Sequence, residues 1–537
     1  MSIDTNTIKQ AIYRKYIEPT RQRDGRYIGV EFEIPIVNKA RKAVDFSIVF
    51  DMVDAFAAEF GFNEQIHDDE GNISSISSVE NGDDLSFDCS YNTLEFSFGR
   101  EKNLNDIHDR FCSYYSFVRE FLEKHGHTVT GMGINPYFRY NNNIPVPNGR
   151  YRMLLHHLSS YRNYKGKLLF HDIPYYGLIS CSAQTHLDVT EDELIRVINV
   201  FNRLEPLKAL LFANSPYEGG YLCVRDHLWR ESMHGLNPHN VDGFDIELGS
   251  VEELVSYIKS MSLYCLERDG RYINFTPLPL DEYLRSFKFV DLTFRGTVEL
   301  RSTCMQPISE AMGVPAFNLG LKVNLDKLEK LLDTEGNIYR QGYNVIELRK
   351  LFVMRKLPAF AEEEGVRDLL LKVLDIARDG LISRGYGEER FLESHRIDRN
   401  GNFAGTPHPF PGNKYIDRDY SEDQIEINTP PEIDADHVLS CLHEKIQFVQ
   451  KELKGAKELI WPFSNPPVIR SEDDIRIAQY YGKDAANTEY REYLARRYGK
   501  YKMTYSGIHF NYSFSEELIR KNSELDEADN YRSGIMY

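Results

Sequence analysis

The chain lacks a glycine-rich phosphate loop. Neither G-x-x-x-x-G-K-[ST] nor a G-x-G-x-x-G following a strand occurs in it, so a bound nucleotide would be held through cations and arginines instead of a backbone cradle. Ser/His/Asp and Cys/His nucleophile signatures are also missing, which favours chemistry that needs no protein nucleophile. The seven cysteines (89, 112, 181, 223, 265, 304 and 441) are scattered and never form a C-x-x-C pair. That argues against a disulfide framework or a thiolate zinc site and for a reducing compartment. Positive charge is short: 64 Lys and Arg against 82 Asp and Glu leave a net charge of −18. Nucleic acid and anionic membranes are therefore not expected as partners. Long apolar runs are absent, the stretch Ala209 to Ala213 being among the longest, far short of a membrane span. The start, Met1-Ser-Ile-Asp4, is polar and has no basic segment leading into an apolar core, so a secretory signal is not expected and a cytoplasmic location is.

What is present is an ordinary globular composition, 42% hydrophobic and 27% charged over 537 residues. That length implies two to four domains. Residues 46–61 and 102–125 read as amphipathic helices, the second stopping at Gly126. Residues 134–150 read as a long loop. A helix is expected from about Glu191 to Phe212, with Thr190 as its cap and Glu193 completing a capping box. A helical stretch follows over about 308–380, and the pattern restarts near 380.

Four segments read as strands with one apolar and one chemically loaded face, because alternate side chains of a strand point to opposite sides. In 28–34, Ile28, Val30, Phe32 and Ile34 oppose Glu31 and Glu33. In 93–98, Leu94, Phe96 and Phe98 oppose Glu95 and Ser97. In 183–189, Ala183, Leu187 and Val189 oppose Gln184, His186 and Asp188; in 297–303, Val298 and Leu300 oppose Glu299 and Arg301. An antiparallel sheet packed on helices by one face has this pattern. For one strand alone, a polar face is simply wet. As a set, the acids cluster, and two acids at i and i+2 repel one another unless divalent cations sit between them. Hard oxygens with one or two nitrogens suit Mg²⁺ or Mn²⁺ better than zinc. Asp88, seven residues before Glu95, is either a further ligand or one of the turn acids Asp83, Asp84 and Asp88.

At these residues the sequence resembles the glutamate–cysteine ligase superfamily, including its carboxylate–amine ligase branch. The pieces that carry the resemblance are Gly29-Val-Glu-Phe-Glu33, Asn92-Thr-Leu-Glu-Phe-Ser97, Arg150-Tyr151, Ala183-Gln-Thr-His-Leu-Asp188, Ala213-Asn-Ser-Pro-Tyr-Glu-Gly-Gly220 with Arg225 and Trp229, and Val298-Glu-Leu-Arg-Ser-Thr303. They occur in the family's order. The resemblance implies an α+β fold related to glutamine synthetase, a curved antiparallel sheet forming a funnel with helices outside. It implies that ATP activates the γ-carboxylate of L-glutamate and that an amine, L-cysteine in the favoured case, attacks the acyl phosphate. By position, Glu31, Glu33, Asp88, Glu95, Gln184, His186 and Glu299 would be metal ligands or their neighbours. Arg301, with Glu299, would act on the transferring phosphoryl group, and Arg150, Asn214 and Arg225 would help hold substrate.

A second resemblance starts near 386. Asp419-Tyr-Ser-Glu-Asp-Gln-Ile-Glu-Ile-Asn-Thr-Pro430, Trp461-Pro-Phe-Ser-Asn-Pro466 and Ser506-Gly-Ile-His-Phe-Asn-Tyr512 look like the bacterial glutamate–cysteine ligase branch. Asp88 and Glu95 are seven apart, as are Asp419 and Glu426. The expected organisation is a complete module over 1–380 and a partial second copy over 381–537. That copy has Phe391-Leu-Glu-Ser-His395 where the family has two acids, keeping Glu393 alone, and shows no Glu/Arg strand. Catalysis is expected from the first module only. The alternatives are a different amine acceptor and a non-catalytic binding or scaffold protein; a homo-oligomer is compatible with either.

Overall fold

The structure is a computed structural model. It describes residues 5–163, 171–217, 220–237, 239–240, 242–261, 266–268, 271–273, 286–395, 415–421, 424–430, 435–456, 460, 466, 469, 471–478 and 485–509. The chain divides into two compact units, Met1–Glu393 and Ser394–Tyr537.

Unit one is built on an antiparallel sheet of nine strands. In chain order these are β1 (Ile28–Asn38), β2 (Glu64–His67), β3 (Ile73–Ser77), β4 (Asp84–Phe87), β5 (Thr93–Glu101), β6 (His127–Val129) and β7 (Ala183–Asp188). After a separate two-stranded ribbon of β8 (Leu266–Arg268) and β9 (Arg271–Ile273) come β10 (Val290–Leu292) and β11 (Thr297–Leu300). The spatial order is β10-β11-β7-β1-β5-β4-β3-β2, with β6 pairing the far end of β1. The sheet is open, and the α+β class expected from the sequence is present.

The alternation that predicts β1 is what seats it. Ile28, Val30, Phe32, Ile34 and Ile36 are all buried. Phe32 meets Phe111 of the helix Leu104–Lys124 at 4.7 Å between ring centroids, and Phe96 of β5 meets Phe56 of the helix Phe46–Phe60. Each such side chain removed from water contributes about 1.5–3 kcal/mol, so the apolar face alone fixes which way the acids point. Both helices begin at side-chain caps: Asp45 accepts from Ser47 N–H and Asn103 from Asn105 N–H. Gly61 and Gly126 end them with positive φ, where no side chain pays the left-handed penalty. The helix Leu194–Leu211 starts three residues later than the sequence suggests. Glu193 does accept from Thr190 N–H at 3.0 Å. Glu191, however, is drawn off by Arg21 and the Tyr13 hydroxyl, so the turn 191–193 is not helical. The stretch from 308 to 384 is a series of helices, Gly313–Val323, Leu325–Glu335, Val345–Phe352, Ala359–Glu363 and Val366–Arg384.

Residues Glu388–His395 wind as 3-10 turns, so the segment holding Phe391 and Glu393 is not a strand here. Glu388 sets that winding: its carboxylate accepts from Leu104 N–H at 2.9 Å and pairs with Arg384 at 2.6 Å.

Unit two, where described, holds the hairpin β12 (Ile416–Arg418) and β13 (Ile425–Ile427) and the helices Ala435–Ala456, Ala485–Tyr498 and Lys500–Met503. The segment 461–465 and the last three residues of the matching segment 506–512 lie outside the described residues. No helix among the described residues is long and apolar enough to cross a membrane.

Candidate active site

The four two-faced strands lie side by side, as β11-β7-β1-β5. Register then decides which polar groups meet. Glu299 faces His186, His186 faces Gly29, Gln184 faces Glu31, and Glu33 faces Glu95. Residues directly opposite each other in an antiparallel pair bring their Cβ atoms within about 5.5 Å. The polar face is not wet: Glu33, Gln184, His186 and Glu299 are each 8% exposed or less.

Two clusters result. In the first, Glu31, His186 and Glu299 each offer a ligand atom within 4.8 Å of the others. His186 Nε2 lies 3.0 Å from Glu31 Oε1 and 3.7 Å from Glu299 Oε1, and its Nδ1 lies 3.3 Å from Thr297 Oγ1. Gly29 makes this possible. It shares the polar face, and a Cβ there would stand 3.3 Å from His186 Cβ. In the second cluster, Glu33, Asp88 and Glu95 converge in the same way. Glu33 accepts from Ser182 N–H at 2.6 Å and from Gln184 Nε2 at 2.5 Å. Asp88 stands at the β4–β5 bend, where Cys89 takes a φ of 61°. That strained position turns the chain so that Asp88 meets Glu33 and Glu95 and does not sit in an exposed turn.

The charges of the two clusters are pushed in opposite directions. Burial raises Glu33 to about 8, with the Asp88 carboxylate adding to it. Burial likewise lifts Asp88, and lifts Glu95 well above the carboxylate range, helped there by Glu31, Asp88 and Glu33. Glu31 is equally buried, but His186 first, then Arg295 and Arg301, outweigh that and hold it down to about 2. His186 is raised despite burial, because Glu31 and Glu299 favour its charged form. One cluster is thus compensated by its own cations, and the other has three carboxylates with too little positive charge.

Arg301 lies just beyond β11 and bridges the clusters. Its Nη2 donates to Glu299 Oε1 at 3.1 Å and to Gln184 Oε1 at 3.2 Å, and the guanidinium rests 4.1 Å from the Phe287 ring centroid. Its Nε has no hydrogen-bond partner. Arg150, in the first turn of the helix Gly149–Ser159, keeps an exposed side chain yet stands near enough to Asp88 to favour that carboxylate's charge. Asn214 and Arg225 reach backbone carbonyls, and Arg225 Nε is left without a hydrogen-bond partner. Asn214 donates to the carbonyls of Gly131 and Met305, and Arg225 to those of Arg301 and Ser302 at 3.1 Å each. Their nitrogens pin the backbone around the site. Thr297, Arg295, Phe287 and the Ser182 N–H join the site without being marked by a motif. Thr297 was readable, two residues before Glu299 on one strand face. The others come from turns and loops that carry no periodic signal.

A hairpin in unit two repeats the one that carries Asp88 and Glu95. Ser86 faces Glu95, and 331 residues on, Asp417 faces Glu426. Asp88 N–H donates to Thr93 O, and Asp419 N–H to Gln424 O; Thr93 N–H donates to Ser90 O, and Gln424 N–H to Ser421 O.

Two family models match different parts of the chain. The sequence model of glutamate–cysteine ligase family 2 matches residues 27–323, and that of a glutamate–cysteine ligase family matches 374–535. The chain is 28% identical over 309 residues to a chloroplastic glutamate–cysteine ligase of Brassica juncea, covering 52% of this chain and 57% of that one. It is 39% identical over 168 residues to a glutathione biosynthesis bifunctional protein of Listeria monocytogenes, covering 30% of this chain. The match spans about a fifth of that relative's length. Among solved structures, a glutamate–cysteine ligase of Francisella tularensis in complex with AMP is similar at 11% identity and a TM-score of 0.35, over 70% of this chain and 83% of that one.

Proposed function

The chain belongs to glutamate–cysteine ligase family 2, and we propose that unit one joins L-glutamate to L-cysteine at the expense of ATP. The overall reaction is amino-acid carboxylate, amine and ATP giving amide, ADP and phosphate, with an acyl phosphate between the two halves. The observation that carries this reading is the pair of converging clusters on four adjacent strands, one self-compensated and one short of positive charge. The donor set of carboxylates, one imidazole and one amide fits hard divalent cations, Mg²⁺ or Mn²⁺. The raised Glu33, Asp88 and Glu95 fit them too, since these acids need a cation to be ionised together. Glu33, Asp88 and Glu95 would hold one such ion, and Glu31, His186 and Glu299 another, with Gln184 beside both. Bound there, cations would screen phosphate charge and polarise a phosphoryl oxygen.

The chain's own residues supply placement. Ser182 N–H and Gln184 fix the Glu33 carboxylate, and Thr297 and Gly29 set the His186 ring. Arg301, seated on Phe287 with an unspent Nε–H, offers a planar donor set to a phosphoryl or carboxylate group. Arg150 lends positive charge at the Asp88 end. Catalysis is then mainly positioning and electrostatic stabilisation. Unit two we take as a partial copy that does not turn over by itself. Its described sheet has two strands, and Glu426 on β13 is exposed. The six described cysteines are all free thiols, which supports a reducing, cytoplasmic setting. The test is ADP release from ATP and glutamate over a panel of amines that includes cysteine. Release that needs glutamate and is strongest with cysteine supports the reading, and release without any amine preference overturns the acceptor.

A further inference from the structure

Cys223 and Cys304 stand far apart in sequence, yet their sulfurs are 3.5 Å apart in the interior of unit one. Both are at most 2% exposed. Cys223 precedes the helix Val224–Arg230, and its sulfur lies 3.4 Å from Asp226 Oδ1. Cys304 is three residues beyond Arg301, and its sulfur lies 3.4 Å from Ser215 Oγ. The fold makes room for that sulfur: a Cβ on Gly133 would come within 2.5 Å of it. Gly133, Ser215 and Asp226 thus stand against the two sulfurs. Between the two cysteines runs the link to the active site. Arg225, two residues after Cys223, holds the carbonyls of Arg301 and Ser302.

We propose that Cys223 and Cys304 form a site of reversible oxidation, closing to a disulfide under hydrogen peroxide, and that closure displaces Arg225 and the 301–304 segment from their working positions. A disulfide needs sulfurs about 2.05 Å apart, so the two must approach by about 1.5 Å. In a close-packed interior that movement is passed on to the neighbouring backbone. The chemistry divides between the two thiols. The contact with Cys223, then the charge of Arg225 and the Ser215 hydroxyl, bring the Cys304 thiol down to about 6 against its burial, while the same contact and burial push Cys223 up. Cys304 is the thiolate nucleophile and Cys223 the resolving thiol. The Cys304 thiolate takes an oxygen from peroxide: an S–O bond forms, the O–O bond breaks and hydroxide leaves, to be protonated by water's pool. The Cys223 sulfur then attacks Cys304, an S–S bond forms, the S–O bond breaks, and the hydroxyl departs as water with the Cys223 proton. Two thiols are oxidised and one peroxide becomes two waters.

The test uses the reduced full-length chain and hydrogen peroxide, with free thiols alkylated afterwards and peptides mapped by mass. The exposed Cys112 is the internal standard. A Cys223–Cys304 linked peptide should form no more slowly than Cys112 is modified, and dithiothreitol should remove it. In Cys223→Ser, Cys304 should stop at a sulfenic acid that dimedone traps. The linked enzyme should lose roughly tenfold or more of its ADP release, since small misplacements at a reacting site are costly, and should recover on reduction. Complete modification of Cys112 with Cys223 and Cys304 still alkylatable overturns the proposal. So does a linked chain that turns over like the reduced one. The mapping uses no substrate, so it decides the oxidation site even if the proposed ligation fails.

Discussion

The same acid hairpin occurs twice, and only one copy is built into a site. In unit one, the turn after β4 holds Asp88 and β5 holds Glu95; in unit two, the turn after β12 holds Asp419 and β13 holds Glu426, with the same backbone hydrogen bonds. The difference lies in the neighbours. β5 pairs with β1, which sets Glu33 against Glu95, and β7 and β11 extend the same polar face. The acids of unit one are buried together and pushed up in consequence. In unit two Asp419 is raised by partial burial and then by Glu426, and Arg491 and His509 counter that. Among the described residues β12 and β13 pair only with each other. Two acids seven residues apart therefore make a hairpin, and the third and fourth strands make a metal-scale cluster of it.

The largest effect that sharpens this comparison belongs to Glu33, which unit two has no described counterpart for. Glu33→Gln should cut ADP release by roughly 10²-fold or more, since charge stabilisation at a phosphoryl centre is worth several kcal/mol. Circular dichroism should show an unchanged fold. A glutamine variant within threefold of wild type would remove Glu33 from the site.

Next comes Arg301. Arg301→Ala should lose roughly 10²-fold, and Arg301→Lys should recover only part of it, because a lysine cannot make a planar fork or rest on Phe287 in the same way. A lysine enzyme equal to wild type would leave Arg301 a simple ion-pair partner of Glu299.

A smaller effect is expected at Gly29. Adding one Cβ presses on His186, so Gly29→Ala should lower turnover about tenfold, as a displaced catalytic ring does. Metal titration should show weaker Mg²⁺ affinity in that variant than in wild type, and an unaltered titration would contradict the packing argument.

Stability against pH separates the hairpins without any turnover. Folded Glu33 keeps its proton up to about pH 8, whereas the unfolded chain releases it near the ordinary carboxylate value. Between about pH 5 and 8 the unfolded state therefore binds fewer protons, and stability falls as pH rises. In EDTA the Tm should drop across that window. Mg²⁺ should flatten the slope by replacing the proton, and so should Glu33→Gln. A Tm in EDTA that rises from pH 5 to 8 would reverse the sign assigned to the cluster.

Much of this site is legible from alternation alone. Ile28 to Ile34 and Leu94 to Phe98 declare which face is buried, and the acids follow by exclusion. Strand order is not legible, because β7 and β11 reach β1 across more than a hundred residues of chain and only packing brings them there. Asp88 could be read two ways until the Cys89 bend turned it inward. Thr190 and Glu193 carry a genuine cap signal, and a tertiary partner, Arg21, delays the helix nonetheless. Cys223 and Cys304 read as scattered thiols and meet only in three dimensions.

The most direct measurement sets the two copies against each other at one equivalent position. Glutamate- and cysteine-dependent ADP release is compared for Glu95→Gln and Glu426→Gln. The account predicts a loss of roughly 10²-fold for Glu95→Gln and a change within about threefold for Glu426→Gln, where only surface packing is touched. A folded Glu426→Gln enzyme as inactive as Glu95→Gln would contradict it and would mean that both hairpins serve one reaction.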